Sequence, residues 1–420
     1  MAVLLDLPSE LLLDILSLVR STLSFSARLQ KSTYWALSLT SKRLNVLANP
    51  FLYHEYVNLD VRIGFAPFAN TIVNRADLAA HVKRLALRGV EEPVNNADLE
   101  TIQRLADAED LPHALATVSE VHHRQEAVAF FLIVALSSKV ECLHVESRDL
   151  HRVPWFILNL VLQKALGEIP RQFGRLRNVD FNGGGRHGMI DIINASGFLR
   201  LPSLETFQLR NGGPNRTDPS EWKCPARTSS VTTIKLQECL LSCDLFIRLI
   251  RSTKAVKNLV YINTTQWTSR TPAPYLWEHR GSLESIHWSA EHLSKQTSLI
   301  SNEKGSMRDF QKLHTLIWDQ YLLGAPSEWS DRIEVRLVDH LPSSLVTLVL
   351  KSCDPAIIKH LDRLTNADPT WLPNLKTVTV RIAGLRRGIV SHDTAGDDLR
   401  KIAERFASKN VHMSFTLPLS

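Results

Sequence analysis

The sequence predicts an α/β chain in two parts: a short helical module at the N-terminus, then a curved solenoid of strand-plus-helix units with a parallel sheet on its concave face. Three observations carry this. Two amphipathic helical patterns occupy residues 1–55. An apolar-x-x-apolar-x-apolar pattern of strand character then recurs from Val82 to Val380. The composition, 44% hydrophobic and 22% charged over 420 residues, is that of an ordinary globular protein large enough to need no disulfide or metal staple.

The first helical pattern is DLPSELLLDILSLV, residues 6–19. Pro8 suits a helix start, where its missing N–H would be unpaired anyway, and Glu10 in the first turn favours the helix dipole. Leu11, Leu12, Ile15, Leu16 and Val19 form one broad apolar stripe, with Leu13 and Leu18 outside it. A polar, Ser-rich stretch (21–32) separates this helix from a second, YWALSLTSKRLNVLA. Trp35, Leu37, Leu39, Leu44, Leu47 and Ala48 supply its apolar positions, and Asn49-Pro50 is expected to stop it. An extended stretch, YVNLDVRI, follows.

Together these helices resemble the F-box. The matching residues are Leu7, Pro8, Glu10, Leu11, Ile15, Leu16, Leu37, Ser41, Lys42, Arg43 and Leu44, with Leu47 beyond, and the resemblance covers residues 4–53. This chain departs from the pattern in a longer connector between the helices and in Thr40, where valine is usual. What the resemblance implies is a partner, the Skp adaptor subunit of Skp-cullin-F-box ubiquitin ligases, and through it a cullin scaffold. On this chain the docking residues would be Leu7, Pro8, Leu11, Ile15 and Leu16, with Leu37 and Leu44 partly structural. The plainer reading is a helical cap on a larger domain.

The repeated pattern runs through Val82-Leu85-Leu87, Val140-Leu143-Val145, Leu176-Val179-Phe181, Leu204-Phe207-Leu209 and Val231-Ile234-Leu236. It continues through Leu259-Ile262-Thr264, Leu283-Ile286-Trp288, Leu313-Leu316-Trp318, Leu345-Leu348-Leu350 and Leu375-Val378-Val380. First positions from Val140 onward are spaced 36, 28, 27, 28, 24, 30, 32 and 30 residues apart. This resembles a divergent leucine-rich repeat, whose period is about 20–29 residues. Leu-Pro-x-Leu or Leu-Pro-x-x-Leu opens three copies, from Leu201, Leu341 and Leu372. Cys239 and Cys353 stand three residues after the last apolar position of their copies, where that family places Asn or Cys to bond the turning backbone. A helix, DDLRKIAERFAS, and a strand, VHMSF, are expected to close the array. One such unit cannot bury its apolar face alone, so units stack; an ordinary α/β domain is the competing reading.

Alternate strand residues would then face away from the core. They include His144, Glu146, Asn178, Asp180, Gln208, Arg210, Lys235, Gln237, Tyr261, Asn263, Ser285, His287, Asp319, Lys351, Thr377 and Thr379. Of these, Gln208, Arg210, Lys235, Tyr261, Asn263 and His287 are the candidate contacts for a protein substrate on residues 56–420.

Catalytic motifs are absent from the sequence: no Walker loop, GxSxG elbow, HExxH or kinase set. Asn182-Gly183-Gly184-Gly185-Arg186-His187-Gly188 lacks the lysine of a phosphate loop and reads as a turn, and His122-His123 reads as a surface pair. The nine tryptophans read as packing residues. The expectation is therefore a non-enzymatic adaptor without cofactor or metal; the alternative is a repeat scaffold for protein interactions outside any ligase.

The net charge of +6 is spread thinly, with no run of like charges, which argues against nucleic acid as the main partner. Five cysteines without a framework suggest a reducing, intracellular compartment, cytoplasmic or nuclear. The apolar N-terminus lacks a basic leader and is interrupted by Asp6, Glu10 and Asp14. The longest apolar run, Ala127 to Leu136, is too short for a membrane span and reads as a buried helix.

Overall fold

A computed structural model describes residues 6–22, 27–57, 65–88, 129, 132–134, 136–147, 173–183, 189–213, 219–262, 276–289, 307–319, 337–353, 355, 357–368, 370–382 and 392–417. The expectations at Ala127, His122-His123, residues 184–188 and Asn263 lie outside these. The chain divides into two compact units, Met1–Gly188 with Leu201–Leu204, and Met189–Arg200 with Glu205–Ser420. Among the described residues no helix is long and apolar enough to cross a membrane.

The first unit opens with three helices, α1 (Ser9–Thr22), α2 (Ala27–Thr40) and α3 (Lys42–Leu52). Two expectations are corrected here. The second helical pattern is broken at Ser41, whose extended backbone and side-chain oxygen, accepting from the Leu44 N–H, make it the N-cap of α3. Nor does Asn49-Pro50 end the helix, which runs on to Leu52. The carbonyl that Pro50 leaves without a helical donor belongs to Val46, a residue 70% exposed, so water reaches that side of the helix.

Strand β1 (Glu55–Val57) follows, then helices α4 (Ala66–Asn74) and α5 (Ala76–Ala79). Strands β2 (Arg84–Arg88), β3 (Cys142–Ser147) and β4 (Asn178–Gly183) complete the unit. β1, β2, β3 and β4 pair in that order, all parallel. Leu85, Leu143 and Val179 are in register and buried, as are Leu87, Val145 and Phe181. Ala129, Leu132, Ile133 and Val134 are buried, as a helix core requires.

The second unit holds β6 (Thr206–Arg210), β8 (Thr233–Gln237), β9 (Asn258–Ile262), β10 (Ser285–Ser289), β11 (Thr315–Asp319), β12 (Thr347–Cys353), β13 (Thr377–Ile382) and β14 (His412–Thr416). Two short strands, β5 (Ile190–Asp191) and β7 (Gly212–Gly213), pair with each other. The eight longer strands pair in sequence order, every pair parallel. Parallel neighbours need crossovers, supplied by the helices Cys243–Ser252, Ile357–Asn366 and His392–Ala407 and, before β10, by the 3-10 turn Trp277–His279. The result is a mixed α/β fold with parallel sheet.

Two rows of inward side chains cross this sheet. One runs Phe207, Ile234, Leu259, Ile286, Leu316, Leu348, Val378, Met413; the other Leu209, Leu236, Tyr261, Trp288, Trp318, Leu350, Val380, Phe415. The expected copy at Leu259-Ile262-Thr264 is thus misplaced by three residues. Val256-Leu259-Tyr261 is the copy that packs, and Tyr261 is buried rather than outward. Its ring stacks on Trp288 at 4.3 Å, and Phe246 meets both edge-on.

Two cysteines and a glycine occupy matching places in the turns beyond the strands. Cys239 is fully buried, and its Sγ donates to the carbonyls of Leu209 and Gln237, each at 3.3 Å. Cys353 donates to the Lys351 carbonyl at 3.5 Å, and Gly212 holds the matching place after β6. In all three the preceding residue is left-handed: Asn211, Glu238 and Ser352 have φ of 51°, 54° and 51°.

Candidate functional site

Helices α1–α3 pack on a small core of Leu16, Tyr34 and Ala48, with Val19, Leu37, Leu47, Phe51 and Leu52 around it. The Tyr34 hydroxyl donates to the Leu16 carbonyl at 2.9 Å. Arg43 of α3 reaches back to the start of α1, donating to the Leu7 carbonyl at 2.7 Å and contacting Ser9 Oγ at 3.1 Å. Asn45 Nδ2 donates to the Ser38 carbonyl, joining α3 to α2. These bonds give three short helices a fixed mutual geometry that propensity alone does not supply.

The apolar stripe on α1 is split. Leu12, Leu16 and Val19 turn inward, while Leu11 and Ile15, joined by Leu18, form a parallel row 48%, 36% and 64% exposed. Trp35 and Leu39 stand one turn apart on the outside of α2, and Val46 is exposed on α3. Nine large apolar side chains are exposed among the described residues, and eight belong to α1–α3: Leu11, Leu13, Ile15, Leu18, Leu29, Trp35, Leu39 and Val46. Single exposed leucines are normal on a protein surface; this concentration on three short helices is not.

Against the expected docking residues, Leu11 and Ile15 are exposed, Pro8 is exposed at the mouth of α1, and Leu7 and Leu37 are half-buried. Leu16 and Leu44 are both buried, Leu16 in the small core between the helices and Leu44 in the structural place expected of it in part. Leu18, Trp35, Leu39 and Val46 were not among the expected contacts. Their signal in the sequence was a second apolar row, beyond what the core of two short helices uses.

The second candidate surface is the polar face of the sheet in the second unit. One row of outward residues, in register, is Gln208, Lys235, Val260, His287, Ile317, Val349, Thr379 and Ser414. Beside it lie Arg210, Gln237, Ile262, Lys351 and Arg381. Gln208, with its amide turned so that the oxygen faces Arg210, accepts from that guanidinium at 2.6 and 2.7 Å. Lys351 Nζ lies 2.9 Å from His287 Nε2, two strands away. Burial, together with the nearby Lys351 and Arg381 charges, lowers the His287 pKa to about 4, so at neutral pH its ring is uncharged and accepts from the ammonium.

Asp319, also expected outward, is fully buried and accepts from Ser289 and Ser352. In the first unit the sheet face differs in charge: His144 Nδ1 lies 3.0 Å from Asp180 Oδ2, with Glu146 beside it. Among the described residues no group of three or more His, Cys, Asp or Glu is placed to hold a metal ion.

A recurring serine escaped the sequence reading. Ser203 donates to the Phe173 and Leu176 carbonyls, Ser282 to Val256 and His279, and Ser344 to Phe310 and Leu313. Each precedes the first apolar residue of its strand copy, and Ser282 and Ser344 tie their copies to the one before. The Leu-Pro-Ser opening at Leu201 and the Leu-Pro-Ser-Ser opening at Leu341 carry its signal, the serine just before the leucine.

Compared with known proteins, the chain matches no family model and no curated protein.

Proposed function

We propose that this chain is a substrate-recognition adaptor of a Skp-cullin-F-box ubiquitin ligase. Helices α1–α3 act as the F-box module that docks Skp, and the strand-plus-helix array acts as a leucine-rich-repeat-like solenoid that holds a target protein. The observation that carries this reading is the concentration of eight exposed large apolar residues on α1–α3. Such a surface asks for a protein cover, and helix-face packing is how an F-box is covered. Arg43 and Ser41 support the same reading, since two residues of the expected distal motif set the geometry of the module.

The mechanism is proximity. Two binding surfaces on one chain raise the local concentration of target beside the ligase, and other subunits transfer the ubiquitin. The test is co-purification of the full chain with a Skp adaptor, beside Leu11→Asp and Ile15→Asp variants. Binding by the parent chain that both variants lose, with unchanged melting temperatures, supports the reading. A folded parent chain that captures no Skp overturns it.

A further inference from the structure

We infer that the polar sheet face of the second unit takes an acidic peptide whose carboxylates flank aliphatic side chains. This rests on the reading of that face as the target-binding surface, and it adds the chemical class of the target segment.

The outward strand positions of this unit carry Arg210, Lys235, Lys351 and Arg381, and the one acid among them, Asp319, is fully buried. The exposed charge of the face is therefore of one sign. Between Lys235 on β8 and Lys351 on β12 two of the outward rows carry Val260, Ile262, Ile317 and Val349, all half-buried, with the His287 ring among them, and the third row is polar, Asn258, Ser285, Thr315 and Thr347. The face thus has an aliphatic centre with cations on both sides. β8 and β12 are four strand spacings apart, about 19 Å, which an extended peptide crosses in about six residues. Acidic groups that far apart, with aliphatic side chains between them, complement both the charge and the apolar strip.

Two other anions fit less well. The aromatic rings of these strands, Tyr261, Trp288 and Trp318, turn inward, so the face offers single-stranded nucleic acid no stacking platform. A phosphate group calls for several donors converging on one point. Here the Arg210 guanidinium beside Lys235 is directed to Gln208, and the Lys351 ammonium is directed to His287.

The test is fluorescence anisotropy of the full chain with a short labelled peptide in which Asp-Glu pairs flank a Leu-Ser-Val centre. Comparison probes carry Lys for the acids, Ser for the aliphatics, or phosphoserine for the acids, and a single-stranded RNA oligomer is run beside them. The expected result is saturable binding that weakens with salt and is lost with the Lys probe. It should weaken about tenfold in each of Lys235→Glu and Arg381→Glu, both at positions accessible to solvent. Lys351→Met, which adds no charge, should weaken it by a smaller factor and guards against a misfolded variant.

No binding of the acidic probe, equal binding by the folded variants, or tighter binding of the phosphoserine probe or RNA would each overturn the inference. Skp co-purification of the same variants separates the two claims. Skp capture without peptide binding removes the acidic-peptide class alone, and peptide binding without Skp capture removes the ligase reading alone.

Discussion

Lys351 and His287 face each other across the intervening strand β11, ammonium to imidazole, at 2.9 Å. A lysine beside a histidine is stable only while the ring is neutral, and burial with two nearby cations keeps it so, down to a pKa of about 4. The folded chain therefore binds fewer protons than the unfolded chain between pH 6.5 and about 4. Stability should fall as pH drops through that window, and the loss should be complete below it. Because the ring is partly solvated, screening leaves this at about 1 kcal/mol. NMR titration of the folded chain should place His287 near 4, and Lys351→Met should raise it while leaving it below 6.5, since burial is the larger cause. A ring that titrates at the ordinary value would refute the neutral pairing.

The split stripe of α1 separates docking from stability. Ile15→Asp should abolish Skp capture with little change in melting temperature, because Ile15 is 36% exposed. Leu16→Ala, at a residue 2% exposed, should cost about 2–5 kcal/mol in a denaturant melt. Tyr34→Phe should cost about 1 kcal/mol, the bond to the Leu16 carbonyl. Equal destabilisation by the Ile15 and Leu16 variants would remove the distinction between outer and inner rows.

In the second unit, Phe246 lies on the helix Cys243–Ser252 and closes over Tyr261 and Trp288. Phe246→Ala should cost about 3–5 kcal/mol, the range for truncating a buried aromatic ring. Val260→Thr, one residue from Tyr261 but on the other face, should leave stability within about 0.5 kcal/mol. If the register of β9 were instead that of Leu259-Ile262-Thr264, the two neighbouring positions would exchange their sensitivities.

The periodicity legible in the sequence is the periodicity of burial, and it located nine of the ten copies in register. It failed at β9 because Val256-Leu259-Tyr261 and Leu259-Ile262-Thr264 both satisfy the same pattern. Only packing against Phe246 and Trp288 selects the tyrosine as the inward residue. The break at Ser41 depends on one side-chain bond to the Leu44 N–H, which an apolar count does not register. The division of the first helix into inner and outer rows depends on where α2 and α3 lie. That is why Leu16 was expected at the surface and Leu18 was not.

The cysteines offer a test that needs no partner. Cys239 donates to two carbonyls from within the core, and burial pushes its thiol up to about 12, so it holds no thiolate at neutral pH. Burial raises the Cys224 thiol as well, and Cys353 is also buried, whereas Cys142 and Cys243 are half-buried. Titration of the native chain with a thiol reagent should modify Cys142 and Cys243 first, with Cys224, Cys239 and Cys353 following only at the rate of unfolding. Cys239→Val would fill the space but remove the donor that holds the turn after β8, and should destabilise by about 1–3 kcal/mol. At the matching place after β6, a Cβ added to Gly212 would collide with the Leu209 side chain. Gly212→Ala should therefore displace that inward leucine and destabilise as well, by the overpacking cost of about 1–3 kcal/mol. Fast labelling of Cys239 in the native state would show that the turn is open and that neither residue holds it.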